Sequence, residues 1–329
     1  MDMNTKSVII DNAATATWYN VRREIEDQVF QINPFWQKMA ETGRIKSRVP
    51  DGSHFEIPVR YSKLGQNGAW FGRGDTLGAQ EKEFLTRLIY ETKNYGDAIP
   101  RFWDDDRKNR GQAQLVNYIE ELIDTTKESM IDSLGYDLLV QNSDPKSMNS
   151  ISTLVSTTPT AGSIGGLART SNEYLQNNIK DFSGLTTSAN LLPEMRTMVN
   201  TCSKWRGGTQ QRPDMILTTQ AIYEAYEEIA QALQVIQTSK SERASLGFGE
   251  LAFKNIEMFW DPNCEAGKMY FLNTSALELS YDPSAWFEMT DWKPIQGTSL
   301  DKVAQIVCVC NLNATHFRKQ GVIFDIPTS

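Results

Sequence analysis

The sequence is poor in the residues that many enzymes use for acid–base and metal chemistry. It contains two histidines, His54 and His316, and four scattered cysteines without a Cys-x-x-Cys pair. Cysteines in this arrangement do not form the framework of a disulfide-rich secreted domain. Because structural zinc sites need several nitrogen or sulfur ligands, we expect neither a metal nor a cofactor.

An excess of positive charge and long apolar runs are also missing. The 329 residues include 33 Lys and Arg against 41 Asp and Glu, a formal net charge of -8. A dedicated nucleic-acid binder presents a basic face that neutralises phosphates, so the charge argues against that class but not against a position beside DNA. No apolar run approaches a membrane span, and VII in MDMNTKSVIIDNA is too short for a signal peptide. We expect synthesis in the cytosol and no membrane partner.

The residue groups that resemble reactive sites have simpler interpretations. Asp104–Asp106 in FWDDDRKN is the densest carboxylate group and has the chemistry to bind a hard cation, but acidic side chains also favour the start of a helix. Cys308 and Cys310 alternate in IVCVCNL, which indicates either half of a metal site or a packed strand, and we favour the strand. Ser163 lacks the flanking glycines of a nucleophile elbow. We therefore assign no catalytic residue.

The stretch GQNGAWFGRGD, Gly65 to Asp75, lies between two extended segments. FEIPVRY before it alternates apolar and polar residues, Pro58 marks an edge strand, and FLTRLIY follows. The pattern predicts a long β-hairpin whose arms, about 18 residues each, reach about 50 to 60 Å at full extension. Trp70 and Phe71 at its tip need another surface to cover them, either a partner subunit or the chain's own body.

Helical periodicity appears in three regions. Five apolar residues spaced from Trp18 to Ile32 predict a helix that ends at Pro34, and a second short helix is expected to run from Phe35 to Gly43. An apolar stripe predicts a 28-residue helix from Gln112 to Leu139, about 42 Å long. Further helices follow at 192–202 and 222–233.

A mixed α/β unit is predicted from about 186 to 273. PDMILTT indicates a buried strand that leads into a helix with a Thr N-cap, and further strands are expected around LAFKNIEMFW and KMYFLN. The strands near 306–309 and 321–326 are expected to return to the earlier sheet. An arm, a projecting hairpin and a long helix, without a catalytic group, favour a protein that assembles.

These segments resemble, in this order, a major capsid protein of tailed bacteriophages with the HK97-like coat fold. The resemblance covers roughly residues 30 to 325. It depends on NPFWQKMAETGRI, DGSHFEIPVRY, NGAWFGRGD, the helix after NRGQAQL, IGGLART, PDMILTTQAIYEAYE, LGFGELAFKNIEMFWD and GKMYFLN.

The resemblance implies an α+β fold with five parts. They are an N-terminal arm (1–50), an extended β-hairpin called the E-loop (51–95), a peripheral domain (96–185) with a spine helix (112–139), an axial domain (186–294) and a return to the peripheral and axial sheets (295–329). It also implies intersubunit contacts through two groups of residues. The E-loop tip contributes Asn67, Trp70, Phe71, Arg73 and Asp75; the arm contributes Trp18, Val21, Ile25, Phe35 and Trp36.

The function implied is structural and not enzymatic. Copies of the chain would form hexamers and pentamers of an icosahedral shell that encloses double-stranded DNA without sequence-specific binding. The shell would be assembled in the host cytoplasm and become the virion capsid, with portal and cement proteins as further partners. Only about fifty residues precede the hairpin, so any scaffolding is expected from a separate protein.

Two other functions remain open from the sequence. An encapsulin-like compartment protein has the same fold but encloses enzymes. A monomeric enzyme that acts on a polysaccharide would use some of the eight tryptophans as a sugar platform. The enzyme hypothesis predicts a stable monomer with a groove, whereas both shell hypotheses predict an arm and a hairpin buried against other chains.

Overall fold

The computed structural model describes residues 33–62, 70–75, 83–104, 112–204, 212–237, 251–297 and 300–327. Within these ranges the α-helices are α1 (Pro34–Glu41), α2 (Gln112–Leu139), α3 (Ile151–Leu154), α4 (Thr187–Cys202) and α5 (Gln220–Gln237). The bounds of α2 are those predicted from its apolar stripe. None of the helices in these ranges has the length and apolar content that crossing a membrane requires.

The strands of the first half are β1 (Ile45–Ser47), β2 (His54–Arg60), β3 (Leu85–Glu91), β4 (Lys93–Arg101), β5 (Ser163–Ile164), β6 (Leu167–Ala168) and β7 (Asn178–Asp181). Those of the second half are β8 (Met215–Thr218), β9 (Ala252–Phe253), β10 (Ile256–Trp260), β11 (Met269–Leu272), β12 (Leu277–Tyr281), β13 (Glu288–Met289), β14 (Lys293–Pro294), β15 (Lys302–Ala314) and β16 (Gly321–Phe324). Helices and strands alternate irregularly, as in an α+β fold.

The first sheet is built on the 13-residue strand β15. One edge of β15 pairs antiparallel with β4, and the other pairs with β12, β13 and β14. The parallel strand β1 pairs with β12. Helix α2 contacts β4, and its buried side chains join the first core. Those side chains are Ile123, Met130, Leu134, Leu138 and Leu139.

The second sheet has the order β7-β16-β11-β8-β10-β9. Its central strands, MILT and MYFL, are fully buried because both of their faces are covered. Met215 and Leu217 face the first core, whereas Ile216, between them, faces a second core that includes side chains of α4 and α5. Side-chain alternation along these strands therefore separates the two cores.

The segment just after the expected arm belongs to the body of the protein. Asn33 caps α1 through its side-chain oxygen, which accepts hydrogen bonds from the backbone N–H groups of Phe35 at 2.9 Å and Trp36 at 3.1 Å. Phe35 and Trp36 are 1% and 2% exposed and lie in the first core. Within the range expected for the arm, α1 and β1 thus pack on distant parts of the chain. Residues 1–32 lie outside the described ranges.

Each sheet contains strands from distant parts of the sequence. β7 and β16 belong to the second sheet, whereas β12, β13 and β14 belong to the first sheet. β4 begins at Lys93, directly after the hairpin strand β3. Both late strands join strands that come earlier in the chain, since β15 pairs with β4 and β16 pairs with β7 and β11.

Candidate assembly surface

The predicted hairpin is present, and its base is fixed to the body. We call the paired strands β2 and β3 the hairpin base; their register includes the pair Phe55 and Tyr90, and Pro58 lies opposite Arg87 in a two-stranded sheet. One face of the base lies in the first core and consists of Phe55, Ile57, Leu88 and Tyr90. The paired part spans seven residues, roughly 23 Å at about 3.3 Å per residue.

Two contacts hold the hairpin base in place. The Tyr90 hydroxyl donates a hydrogen bond to the carbonyl oxygen of Ala314 at 2.8 Å, and burial raises the pKa of this phenol, so it stays protonated. The backbone N–H of Ile89 donates to the carbonyl of Gly165 at 3.1 Å. Gly165 has φ +59°, and a Cβ there would lie 2.9 Å from the Leu88 Cβ. The β5–β6 turn can therefore pack on β3 only with glycine at this position.

The hairpin tip, residues 70–75, is an exposed turn. Trp70 has a relative accessibility of 103% and Phe71 of 66%. The backbone N–H of Gly72 donates to Asp75 Oδ2 at 2.7 Å, and the N–H of Asp75 donates to the Gly72 carbonyl at 3.2 Å. Asp75 therefore shapes the turn, while the two aromatic rings and the exposed Arg73 face solvent. Asn67 lies outside the described residues.

The residues predicted for the arm contact divide into two groups. Trp18, Val21 and Ile25 lie outside the described ranges, so their contact stays a prediction. Phe35 and Trp36 already pack against this chain's own core, and a buried side chain has no surface to offer another subunit. We therefore leave these two out of the proposed contact.

The structure adds exposed apolar residues that sequence reasoning missed. Leu85 and Ile89 lie on the outer face of β3, and their alternation with Leu88 and Tyr90 was the available signal. A second patch lies at the end of β4 and next to the start of β15. It consists of Phe102, Trp103 and Leu300. The N–H of Trp103 donates to Asp301 Oδ1 at 2.9 Å, which joins the two parts of the patch.

The groups considered for chemistry are not brought together. All four cysteines are free and buried, and Cys308 and Cys310 share a strand face with 3.9 Å between their sulfur atoms. Burial, together with the charges of Lys319 and Arg318, lowers the pKa of His316 to about 4, so its ring is neutral at neutral pH. Asp104 is exposed, and Asp105 and Asp106 lie outside the described ranges. Among the described residues, no three His, Cys, Asp or Glu side chains are grouped to hold a metal ion.

The fold is similar to that of solved capsid proteins. The chain matches a protein in the capsid asymmetric unit of cyanophage A-1(L) with 14% identity and a TM-score of 0.63, covering 86% of this chain and 90% of the other. It matches a protein of the capsid of a native GTA particle with 9% identity and a TM-score of 0.57, covering 87% and 89%. The α+β, HK97-like capsid fold inferred from the sequence is confirmed.

A compartment shell has the same fold. The holo-SrpI encapsulin complex from Synechococcus elongatus PCC 7942 matches with 11% identity and a TM-score of 0.51, covering 91% of this chain and 89% of the other. The sequence matches no protein-family model, and a search of curated proteins gave no significant match. At identities this low, the structural similarity establishes the fold alone.

Proposed function

We propose that the chain is a structural coat subunit whose copies form the hexamers and pentamers of an icosahedral shell around double-stranded DNA. Its location would be the virion capsid, after assembly in the host cytoplasm. The fold shared with phage capsid proteins supports this function. The net charge of -8 suits a container that does not bind its genome tightly.

The observation that carries the proposal is the exposure of Trp70 at the end of a hairpin whose base is buried. Burying an aromatic side chain removes about 150 to 250 Å² from water, at roughly 25 cal/mol per Å². Leaving Trp70 and Phe71 in solvent therefore forgoes several kcal/mol that a neighbouring subunit would recover. Obligate interfaces bury about 2,000 to 5,000 Å², enough to cover such a tip.

The proposed contact consists of the tip residues Asn67, Trp70, Phe71, Arg73 and Asp75, together with Trp18, Val21 and Ile25 of the arm. Arg73 is exposed beside the aromatic pair, so the tip combines apolar area with a charge that gives orientation. The proposed partners beyond copies of the chain are separate scaffolding, portal and cement proteins.

The first test is the mass and shape of the purified, untagged protein, measured by light scattering after size exclusion and by negative-stain imaging. Capsomers of five and six subunits, or closed shells, are expected. Trp70→Ala should give a folded subunit that assembles poorly. Trp260→Ala is the matched control, because Trp260 is also exposed but lies on β10, away from the hairpin. A monomer at all concentrations, with and without a scaffolding partner, would contradict the proposal and favour the polysaccharide enzyme.

The second candidate is an encapsulin-like compartment, which the match to the encapsulin shell favours. Particles purified from cells distinguish the two functions by their contents. A coat protein should protect double-stranded DNA from added nuclease, whereas a compartment protein should contain enzyme and no protected genome.

A further inference from the structure

A polar cleft of about 620 Å³ lies between α1, β10 and the loop after β11. Its walls come from four separate parts of the chain. They include Lys38, Thr42, Arg44, Arg212, Asp214, Asn255, Glu257, Asn273, Thr274 and Ser275. The coat-subunit proposal does not use this cleft.

Both carboxylates of the cleft are already engaged. Glu257 Oε2 lies 2.5 Å from the Lys38 ammonium. Asp214 accepts a hydrogen bond from the backbone N–H of Thr274 at 2.8 Å and a second one from the Thr274 hydroxyl. With Lys38 paired to Glu257, the cleft holds two remaining cations and the one remaining negative charge of Asp214.

Those cations are Arg44 and Arg212, whose guanidinium groups have no acceptor among the described residues. The Arg44 Nε is buried without a hydrogen-bond partner, and leaving a buried donor unmatched is unfavourable. The backbones of both residues are fixed, because the Arg44 N–H donates to Met39 and the Arg212 carbonyl accepts from Asn273. Both residues thus line the cleft from fixed backbone positions.

A guanidinium fork matches a carboxylate in a bidentate geometry. We propose that this cleft binds a carboxylate-bearing segment of a second copy of this chain, an inference that depends on the proposed assembly. A second copy is a rich source of carboxylates, with 41 acidic residues and a net charge of -8.

A nucleic acid fits the cleft less well. Duplex DNA carries about one negative charge per 1.7 Å of helix axis, so an extended polyphosphate would also meet Asp214 and Glu257 in the cleft wall. A single carboxylate matches the one excess positive charge that Arg44 and Arg212 leave beside Asp214. Local charge therefore favours an acidic protein segment.

The test compares the double variant Arg44→Gln/Arg212→Gln with the wild-type chain in an assembly titration followed by light scattering. Loss of two charge-assisted contacts should raise the concentration for half-assembly by about tenfold or more and weaken its salt dependence. The matched control is Arg196→Gln/Lys204→Gln, which removes two exposed charges, one on α4 and one just after it, and should change this concentration by less than about threefold. Urea unfolding of the isolated subunit should show no loss of stability in either variant.

Each contrary result has a distinct meaning. If the wild type and the double variant assemble equally well, this inference is overturned but the proposed coat function is not. If the wild-type chain never assembles, both are overturned. A lower unfolding midpoint of the isolated double variant would show that the chain's own residues supply the acceptor. Unchanged assembly with weaker binding of a short DNA duplex would assign the cleft to phosphate.

Discussion

The base and the tip of the hairpin differ in burial although they belong to one continuous segment of the chain. The base buries Leu88 completely, whereas the tip holds Trp70 fully in solvent. A two-stranded hairpin is marginal by itself in water, and here the first core supplies the missing stability. The base is therefore part of this chain's own fold, and in the proposed assembly the tip is the part offered to another subunit.

This difference shows that hydrophobicity alone does not distinguish a core residue from a contact residue. Trp36 and Trp70 have the same side chain, yet Trp36 stacks on Trp286 at 6.3 Å between ring centroids and Trp70 projects from a turn. The tertiary position decides whether removing the side chain harms folding or assembly. The following predictions test that separation, from the largest expected effect on folding to the smallest.

Within the hairpin, Leu88→Ala should give the largest loss of subunit stability. Leu88 is 0% exposed in the hairpin base, and removing a buried leucine side chain costs about 2 to 5 kcal/mol. Leu85→Ala is the control, since Leu85 lies on the same strand but is 55% exposed. Urea unfolding of the isolated subunit measures both, and equal effects would show that the base is not held in the core.

Gly165→Ala should destabilise the subunit by about 2 to 3 kcal/mol, because it combines a positive φ with a contact to β3. Gly166→Ala separates these two terms, since Gly166 has φ +78° and open space around a new Cβ. It should cost only about 1 to 2 kcal/mol. Thermal unfolding of the two variants side by side checks the difference, and identical losses would remove the close approach to Leu88 as a cause.

Acidification should lower the free energy of unfolding of the subunit. The folded-state pKa of His316 is lowered to about 4, mainly by burial, so the unfolded chain binds this proton more readily. The stability that this difference in pKa contributes is fully present above about pH 6.5 and is lost as the pH falls towards 4. His316→Gln should therefore make the free energy of unfolding fall less steeply between pH 7 and 4.5. An unchanged slope would mean that His316 is protonated equally in both states.

Trp70→Ala should have the smallest effect on folding. A fully exposed side chain away from any cap or network changes the free energy of unfolding by less than about 0.5 kcal/mol. Trp36→Ala, by contrast, removes a tryptophan that is 2% exposed and should cost about 3 to 5 kcal/mol. Chemical denaturation of the monomer compares the two, and a loss of 2 kcal/mol or more in Trp70→Ala would place the tip in the subunit's own core.

Local patterns predicted the elements whose signal lies within a short stretch of chain. The apolar stripe of α2 gave its bounds, and the alternation in FEIPVRY and FLTRLIY gave the hairpin in which Phe55 pairs with Tyr90. Periodicity reports which face of an element is apolar. It does not report what covers that face, so it did not distinguish the burial of Phe35 from the exposure of Phe71.

The sequence by itself determined the α+β elements, the long helix, the hairpin and the scarcity of catalytic groups. The tertiary structure alone decided which strands share a sheet, because β15 pairs with β4 some 200 residues earlier and β16 pairs with β7. It also decided that Arg44 and Arg212 line one cleft. Strand pairing and cleft formation depend on contacts between distant segments, and a pattern among neighbouring residues does not report such contacts.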